Sequence, residues 1–382
     1  MKKSLVALAF GTLGLGIAEF VMMGILPDIA ADMHISIATA GHLISAYALG
    51  VCVGAPVLIL ARKYPLKHIL LGLVVMIMLG NTCAALAPNY WVMLFARFLS
   101  GLPHGAYFGV ASIVAEKLAD KGRGSEAVSI MIAGMTIANL FGVPLGTALS
   151  ASISWRLTFG LVGFWGILIL YFIWRWVPQV EGVPDTGLRG QFRFLKTTAP
   201  WLLLGATLLG NGGTFAWYSY VTPLLTHEAG FPAHTITFLM ILAGFGMVIG
   251  NLTGGRLADR YTPGKVAAVA QGMIGLSLLL IFFFAGISWV TVILMCVCTA
   301  CLFAVSSPQQ VLLIRYSKGG EMLGAASVQV AFNLGNAIGA YAGGLPLQAG
   351  LDYRYPALVG VPFAVVGCLL LVIFFRKFER HS

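Results

Sequence analysis

Three ionisable side chains stand where they could move a proton through an apolar environment: Glu19, Arg97 and His104. Of the 13 acidic residues, only Glu19 lies well inside an apolar stretch. Insertion scales give ~2.5–3.5 kcal/mol for Asp, Lys or Arg at the bilayer centre, and ionisable groups there usually mark an ion path. Burial favours the neutral acid and a nearby cation favours the carboxylate, so such a group can load and release a proton. We therefore take Glu19 as the protonation site.

Arg97 is the expected counter-charge for Glu19. With ~1.5 Å of rise per helical residue, Glu19 lies eight residues before Pro27 and Arg97 lies six residues into its own apolar segment, so the two have similar depths. Direct pairing and bonding of Arg97 to backbone both stay open. His104 could relay protons because imidazole titrates near neutral pH, or it could simply pack.

Uncharged polar and aromatic side chains within apolar stretches form a second set of candidates. Amides suit hydrogen bonding to sugar hydroxyls or drug amides, and aromatic rings can stack on a ligand. The substrate-binding candidates are Tyr47, Asn139, Asn211, Trp217, Tyr218, Gln309 and Asn333. Interhelical hydrogen bonding by the amides and lipid contact by the rings stay open as alternatives.

The composition explains why these few groups matter. The 382 residues are 59% hydrophobic and 9% charged, whereas soluble domains carry about a quarter charged residues. The net charge of +10 lies in short clusters between apolar runs, so we expect no nucleic-acid partner. All six cysteines fall inside apolar runs, which leaves no loop framework for disulfides, and we assign no metal site.

The chain predicts an all-α membrane protein with twelve transmembrane helices, since about 20 apolar residues cross a bilayer as a helix. The segments lie near 5–26, 40–61, 69–87, 91–115, 127–150, 155–177, 200–221, 235–258, 264–286, 289–312, 322–349 and 355–375. This divides the protein into an N-terminal six-helix bundle (1–177), a linker (178–199) and a C-terminal six-helix bundle (200–382).

The distribution of basic residues predicts the orientation. With both termini in the cytoplasm, all of the 23 Lys and Arg residues face that side except Arg97, Arg156 and Arg354. This asymmetry follows the positive-inside rule. We expect a multi-pass protein of a bacterial inner membrane.

The two halves repeat at a constant offset. Pro27 and Pro223 are 196 residues apart, and the loop ending at Tyr64 matches the loop ending at Tyr261 at 197. Asn139, Gly142 and Gly146 match Asn336, Gly339 and Gly343, also at 197. Such repeats are typical of transporters.

Several motifs resemble one known family. The run from Gly255 to Lys265 resembles the loop signature of the major facilitator superfamily, although in the first-half copy Arg62 replaces the family's acidic residue. Residues 97–105 resemble its arginine motif, and residues 134–146 resemble the helix-five motif of its antiporters. Residues 14–27 resemble the drug and sugar exporter group, specifically the arabinose-efflux permeases.

The resemblance implies the major facilitator fold, with two pseudo-symmetric six-helix bundles, and favours export over import. We interpret Gly142, Pro144 and Gly146 as part of a closing surface on which the two halves rock. Gly255, Asp259 and Arg260 are interpreted as gating residues, and the charges of Asp259 and Arg260 are expected to stabilise one end state. A solvated charge cluster is the alternative for the last pair.

These features predict a secondary active exporter that exchanges protons for a small organic solute, such as an arabinose-like sugar or oligosaccharide, by alternating access. A multidrug antiporter and an uncoupled facilitative transporter are the alternatives. No phosphate-binding P-loop occurs, so a proton gradient without a cofactor is the expected energy source. An enzyme is disfavoured because the spans hold a single carboxylate. The expected partners are the solute, protons and the lipid bilayer, and we expect a monomer.

Overall fold

The structure is a computed structural model that describes residues 2–35, 37–182 and 187–380. Within these ranges the chain is helical and contains no β-strand. This is the arrangement that a bilayer imposes, because a helix satisfies its own backbone hydrogen bonds where water is absent.

The long helices follow the expected segments closely. The first half contains α1 (Lys2–Asp32), α2 (Ile37–Val57), α3 (Leu66–Ala85), α4 (Tyr90–Lys117), α5 (Gly124–Ile137), α6 (Val143–Ser152) and α7 (Trp155–Trp176). A short helix, α8 (Gly187–Gln191), lies in the expected linker. The second half contains α9 (Thr198–Tyr218), the single turn α10 (Val221–Pro223), α11 (Ile236–Arg260), α12 (Pro263–Phe284), α13 (Ser288–Tyr316), α14 (Glu321–Gln348) and α15 (Tyr355–Phe374).

The twelve-span architecture is confirmed. In the described ranges, ten helical segments are long and apolar enough to cross a membrane, with α5 and α6 forming one of them. The other two spans are α9, with 21 residues, and α14, with 28. Their lower hydropathy reflects the glycine and amide residues within them, including Asn211 and Asn333.

The expected end of the first helix was wrong. The sequence places it near Leu26, before Pro27, but α1 continues to Asp32. Polar contacts anchor the additional turns: Asp28 accepts a hydrogen bond from Ser150, and Asp32 forms an ion pair with Arg156 at 2.9 Å. Tertiary contacts therefore override the tendency of proline to end a helix.

The span formed by α5 and α6 contains an irregular turn. Residues Ala138–Gly142 form a π-helical turn, and Pro144 lies two residues after it. Proline lacks the N–H needed to continue the regular backbone ladder, and π-turns inside α-helices are common at functional sites.

The chain divides into two compact units. The first comprises Met1–Phe194 and Ser317–Val330, and the second comprises Leu195–Tyr316 and Ala331–Ser382. The start of α14 thus packs with the first unit, where a Cβ added to Gly109 would lie 2.8 Å from the Ala326 nitrogen. The bundle boundaries drawn from sequence stay a prediction.

The core of the first unit surrounds the ionisable candidates. Val21, Met22, Leu43 and Phe159 belong to one buried apolar cluster, and other apolar residues pack around Tyr47 in a second. The polar groups described next are therefore enclosed by apolar side chains.

Candidate functional site

Four helices of the first unit meet around a compact polar cluster. Glu19 comes from α1, Tyr47 from α2, and Arg97 and His104 from α4, seven residues apart. Phe159 of α7 completes the cluster. Two helical turns separate the two α4 residues, so both project from a similar face of that helix.

Arg97 is fully buried and links three helices. Its guanidinium donates to the carbonyl oxygen of Ala18 at 2.8 Å, and its Nε donates to that of Leu43 at 3.4 Å. The same guanidinium lies 4.4 Å from the centre of the Tyr47 ring and 5.5 Å from that of Phe159. These contacts are cation–π geometry, which strengthens when the cation is desolvated.

The equal depth expected for Glu19 and Arg97 is confirmed by the bond from Arg97 to Ala18, the residue preceding Glu19. In the described part of the chain, however, the hydrogen bonds of Arg97 go to backbone carbonyls and not to the Glu19 carboxylate. The guanidinium therefore lies beside the backbone next to Glu19, and the Arg97 and Glu19 side chains do not form a direct ion pair in this structure.

The side-chain contact of the Glu19 carboxyl is instead with the His104 imidazole. The His104 Nε2 lies 3.8 Å from the Glu19 Oε2. The other ring nitrogen, Nδ1, shares a hydrogen bond of 2.8 Å with the Tyr47 hydroxyl. The imidazole also stacks on Phe108 at 5.1 Å, so its orientation is fixed on several sides.

Three polar atoms of this cluster have no hydrogen-bond partner among the described residues. They are the Glu19 Oε2, the Arg97 Nη2 and the His104 Nε2. Buried polar atoms are normally paired, because an unpaired one costs ~1–3 kcal/mol. Three such atoms in one cluster, one of them on a carboxylate, are typical of a functional site.

Tyr47 belongs to this cluster. Its side chain is 2% exposed, its ring face contacts Arg97, and its hydroxyl contacts His104. The ring and the hydroxyl of Tyr47, the two groups that could bind a solute, thus both contact other protein side chains in this structure.

The remaining first-unit candidates lie on the π-turn and α6. The side-chain amide of Asn139 donates to the Met135 carbonyl of its own helix turn. A Cβ on Gly142 would lie 2.5 Å from Ile17, and Gly146 faces α1 in the same way. These glycines permit close packing within one bundle, and their proposed gating role, with that of half-buried Pro144, stays a prediction.

In the second unit, three candidates lie on α9: Asn211, Trp217 and Tyr218. Asn211 donates to the Thr207 carbonyl of its own helix. Trp217 is fully buried, whereas Tyr218 is partly exposed and lies 5.8 Å from the Trp217 ring. Tyr218 is therefore the more accessible of the two rings.

The amides on α13 and α14 are almost fully buried. Gln309 is 3% exposed and its Nε2 lacks a partner in the described ranges. Asn333 is 7% exposed and interacts with other groups of the protein. These positions suit polar recognition or interhelical bonding equally.

The loop candidates lie at the end of α11. Gly255 is buried, Asp259 is half-buried and interacts with neighbouring groups, and Arg260 is exposed. The Arg260 guanidinium lies 5.6 Å from the centre of the Tyr261 ring.

Sequence reasoning missed the group of contacts at the far end of α1. Asp32 accepts hydrogen bonds from both Arg156 and the Trp155 indole, and Arg156 also donates to the Ala87 carbonyl at 2.7 Å. The available signal was Arg156, one of only three basic residues outside the basic clusters. Phe159, which contacts Arg97, gave no signal in the sequence.

The sequence profile of the Major Facilitator Superfamily matches residues 8–328 and 202–382. The chain belongs to this superfamily. The "Putative transporter AraJ" of Escherichia coli K12 is 48% identical over 385 residues, which cover 100% of this chain and 97% of that protein. The "Probable sugar efflux transporter" of Helicobacter pylori P12 is 27% identical, covering 98% of this chain and 93% of its own.

A solved structure agrees with the fold of a major facilitator transporter. The crystal structure of a fucose:proton symporter of E. coli has a TM-score of 0.78 and 18% identity, covering 97% of this chain and 98% of that chain. At this identity the likeness shows the fold alone. The site residues are therefore interpreted from their own geometry.

Proposed function

We propose that this major facilitator transporter is an exporter that exchanges protons for a small organic solute of the arabinose-like sugar class. The sugar class rests on the motif resemblance and on the named activity of a relative, which is a sugar efflux transporter. The proton coupling rests on the cluster around Glu19. Alternating access between the two sides of the membrane would link the two fluxes.

One observation carries the coupling proposal. A carboxyl within a span lies 3.8 Å from an imidazole nitrogen, and both facing atoms lack a hydrogen-bond partner in the described part of the chain. The Glu19 side chain is 11% exposed, whereas the His104 side chain is fully buried. Glu19 is thus the more exposed member of the pair.

Closing the 3.8 Å separation between the Glu19 Oε2 and the His104 Nε2 to hydrogen-bond distance would link the proton on Glu19 to the tautomer of His104. When Glu19 is a carboxylate, the stable arrangement places a hydrogen on Nε2, and the Tyr47 hydroxyl then donates to Nδ1. When Glu19 is protonated, its O–H can donate to a bare Nε2, and the hydrogen then resides on Nδ1 and points at the Tyr47 oxygen. A tyrosine hydroxyl can donate or accept, so it follows either tautomer.

Arg97 supplies a fixed positive charge beside this pair. Its bonds to the carbonyls of Ala18 and Leu43 hold α1 and α2 against α4. A change of charge on Glu19 therefore alters the electrostatic energy at the point where three helices meet. Protonation of Glu19 can in this way shift the relative positions of these helices.

Glu19→Gln tests the proposal directly, because glutamine keeps the size of the side chain and cannot carry the proton. Purified protein is reconstituted into liposomes with radiolabelled L-arabinose, followed by D-xylose, a pentose disaccharide and a cationic dye as probes. Wild type should concentrate a probe against its gradient when a pH gradient is imposed. Glu19→Gln should lose this accumulation and keep exchange of labelled for unlabelled probe.

Glu181→Gln is the matched control, since the same chemical change occurs at an exposed position outside the spans. It should transport as wild type does. Full pH-driven accumulation by Glu19→Gln would remove Glu19 from coupling. Exchange without pH-driven accumulation in wild type would instead favour uncoupled facilitated transport.

We also propose a bacterial inner membrane location with both termini in the cytoplasm. The basic residues support it, because they concentrate in the loops on the side that holds both termini.

A further inference from the structure

An exposed apolar groove runs along α11, α12 and α13 within the second unit. Its volume is about 400 Å³, within the ~300–1,000 Å³ range of small-molecule sites. Five exposed side chains on its rim or walls are large and apolar or aromatic: Ile249, Leu257, Tyr261, Val269 and Met273. We call this surface the second-half groove.

Small residues form the floor of the second-half groove. Gly250 and Gly254 of α11 face Ala300 and Ala304 of α13 so closely that an added Cβ on either glycine would overlap a backbone carbonyl of α13. The close approach of these helices leaves a depression between the larger side chains of α11 and α12. Thr253 also lines it, but its hydroxyl is bonded to the Ile249 carbonyl of its own helix.

One end of the groove is cationic. Lys265 is the charged residue among its lining side chains, and no acidic residue lines it in the described ranges. The Lys265 ammonium lies 5.7 Å from the centre of the Tyr261 ring, whose other cationic neighbour is Arg260. This end coincides with the end of α11 at Arg260 and the start of α12 at Pro263, where the helices reach the membrane surface.

The same shape recurs in the first unit. A groove of about 520 Å³ is lined by Leu60, Tyr64, His68 and Met76, which match Leu257, Tyr261, Lys265 and Met273 at a constant offset of 197. The groove is thus a property of the repeated helix unit. The lining differs at its polar end, where the second-half groove has a lysine in place of a histidine.

We propose that the second-half groove binds one acyl chain of an anionic glycerophospholipid whose phosphate contacts Lys265. An exposed apolar groove on membrane-spanning helices is filled by hydrocarbon. A basic side chain at the membrane surface selects an anionic headgroup, as an ammonium does for a phosphate. The site does not depend on the proton coupling proposed above.

Native mass spectrometry of the purified full-length protein tests the headgroup contact. The protein is exchanged into detergent micelles with equal amounts of phosphatidylglycerol and phosphatidylcholine of the same acyl chains. Lys265→Gln should lower the ratio of retained phosphatidylglycerol to phosphatidylcholine about fivefold, as expected for one basic residue near an anionic surface. Lys377→Gln, an equal charge change at an exposed residue of the second unit outside the groove, should leave the ratio within about twofold of wild type.

Blocking the groove tests the acyl chain. Val269→Trp places an indole in the groove, whereas Leu276→Trp adds the same group on α12 outside it; the two native side chains are 58% and 57% exposed. Val269→Trp should retain one lipid fewer than wild type, and Leu276→Trp should retain the same number. Equal ratios in the two lysine variants would overturn the headgroup contact. Equal lipid counts in the two tryptophan variants would overturn the groove as the site.

Discussion

The hydrogen bond between Tyr47 and His104 allows a prediction with a defined magnitude. Tyr47→Phe removes the hydroxyl and keeps the ring that lies 4.4 Å from the Arg97 guanidinium. The substitution therefore isolates the 2.8 Å hydrogen bond to the His104 Nδ1. Because His104 has no exposed surface, water cannot replace the lost hydroxyl without rearrangement.

The magnitude follows from the burial of both partners. Interhelical hydrogen bonds measured by double-mutant cycles in another membrane protein average ~0.6 kcal/mol and reach ~1.7 kcal/mol. Leaving a buried donor or acceptor unpaired costs ~1–3 kcal/mol. We expect Tyr47→Phe to lower the free energy of unfolding by ~1–3 kcal/mol, with a coupling of ~1–1.7 kcal/mol to His104→Leu.

The assay is reversible unfolding of the purified protein in mixed micelles with increasing dodecyl sulfate, followed by far-ultraviolet circular dichroism. The cycle comprises wild type, Tyr47→Phe, His104→Leu and the double variant. Tyr220→Phe provides the control, since it removes a 2.9 Å hydrogen bond to the Ala340 carbonyl in the second unit. Paired with His104→Leu, it should be additive within ~0.3–0.5 kcal/mol.

A coupling between Tyr47 and His104 no larger than that of the control cycle would refute the reasoning. The bond would then make no net contribution, and the linkage of the His104 tautomer to Tyr47 would lose its physical basis. A large coupling together with unchanged single variants would also contradict it, because the predicted cost arises from the unpaired nitrogen.

Three further predictions concern packing, charge and topology. Gly339→Ala should destabilise the protein by ~1–3 kcal/mol, because its Cβ would overlap a backbone carbonyl of α9. The control Gly72→Ala, with open space around it, should be neutral or stabilising by up to ~1 kcal/mol. Equal melting temperatures of the two variants would contradict the close contact at Gly339. Arg97→Lys should lower both stability and coupled transport, because an ammonium cannot reproduce the planar contacts of the guanidinium; wild-type behaviour in thermal unfolding and transport would show that charge alone suffices. In a cysteine-free background, Asp352→Cys should react with an impermeant maleimide added to intact cells and Lys196→Cys should not; the reverse pattern would invert the proposed orientation.

The sequence predicted the helices well because crossing a bilayer is a local requirement. The expected segment 155–177 corresponds to Trp155–Trp176, and 355–375 corresponds to Tyr355–Phe374. A run of apolar residues of sufficient length must be helical wherever its neighbours lie. The prediction failed at Pro27, where contacts of Asp28 and Asp32 with other helices extend α1.

The candidate site was only partly predictable for a related reason. Hydropathy singled out Glu19 and Arg97, and counting residues placed them at equal depth. The sequence could not show which residues these two side chains contact. The structure places His104 against the carboxyl and gives Arg97 to backbone carbonyls and aromatic rings, and it brings Tyr47 into the same cluster.

By itself, the amino-acid sequence determined that this chain spans a membrane twelve times as a repeated transporter fold, because length, hydropathy and repeat spacing are read along the chain. The tertiary structure alone decided which polar atoms face each other and where the helices approach closely enough to leave apolar grooves. Those features depend on how each helix is rotated about its axis against its neighbours. That rotation is set by packing between residues far apart in sequence, such as Glu19 with His104 and Gly250 with Ala300.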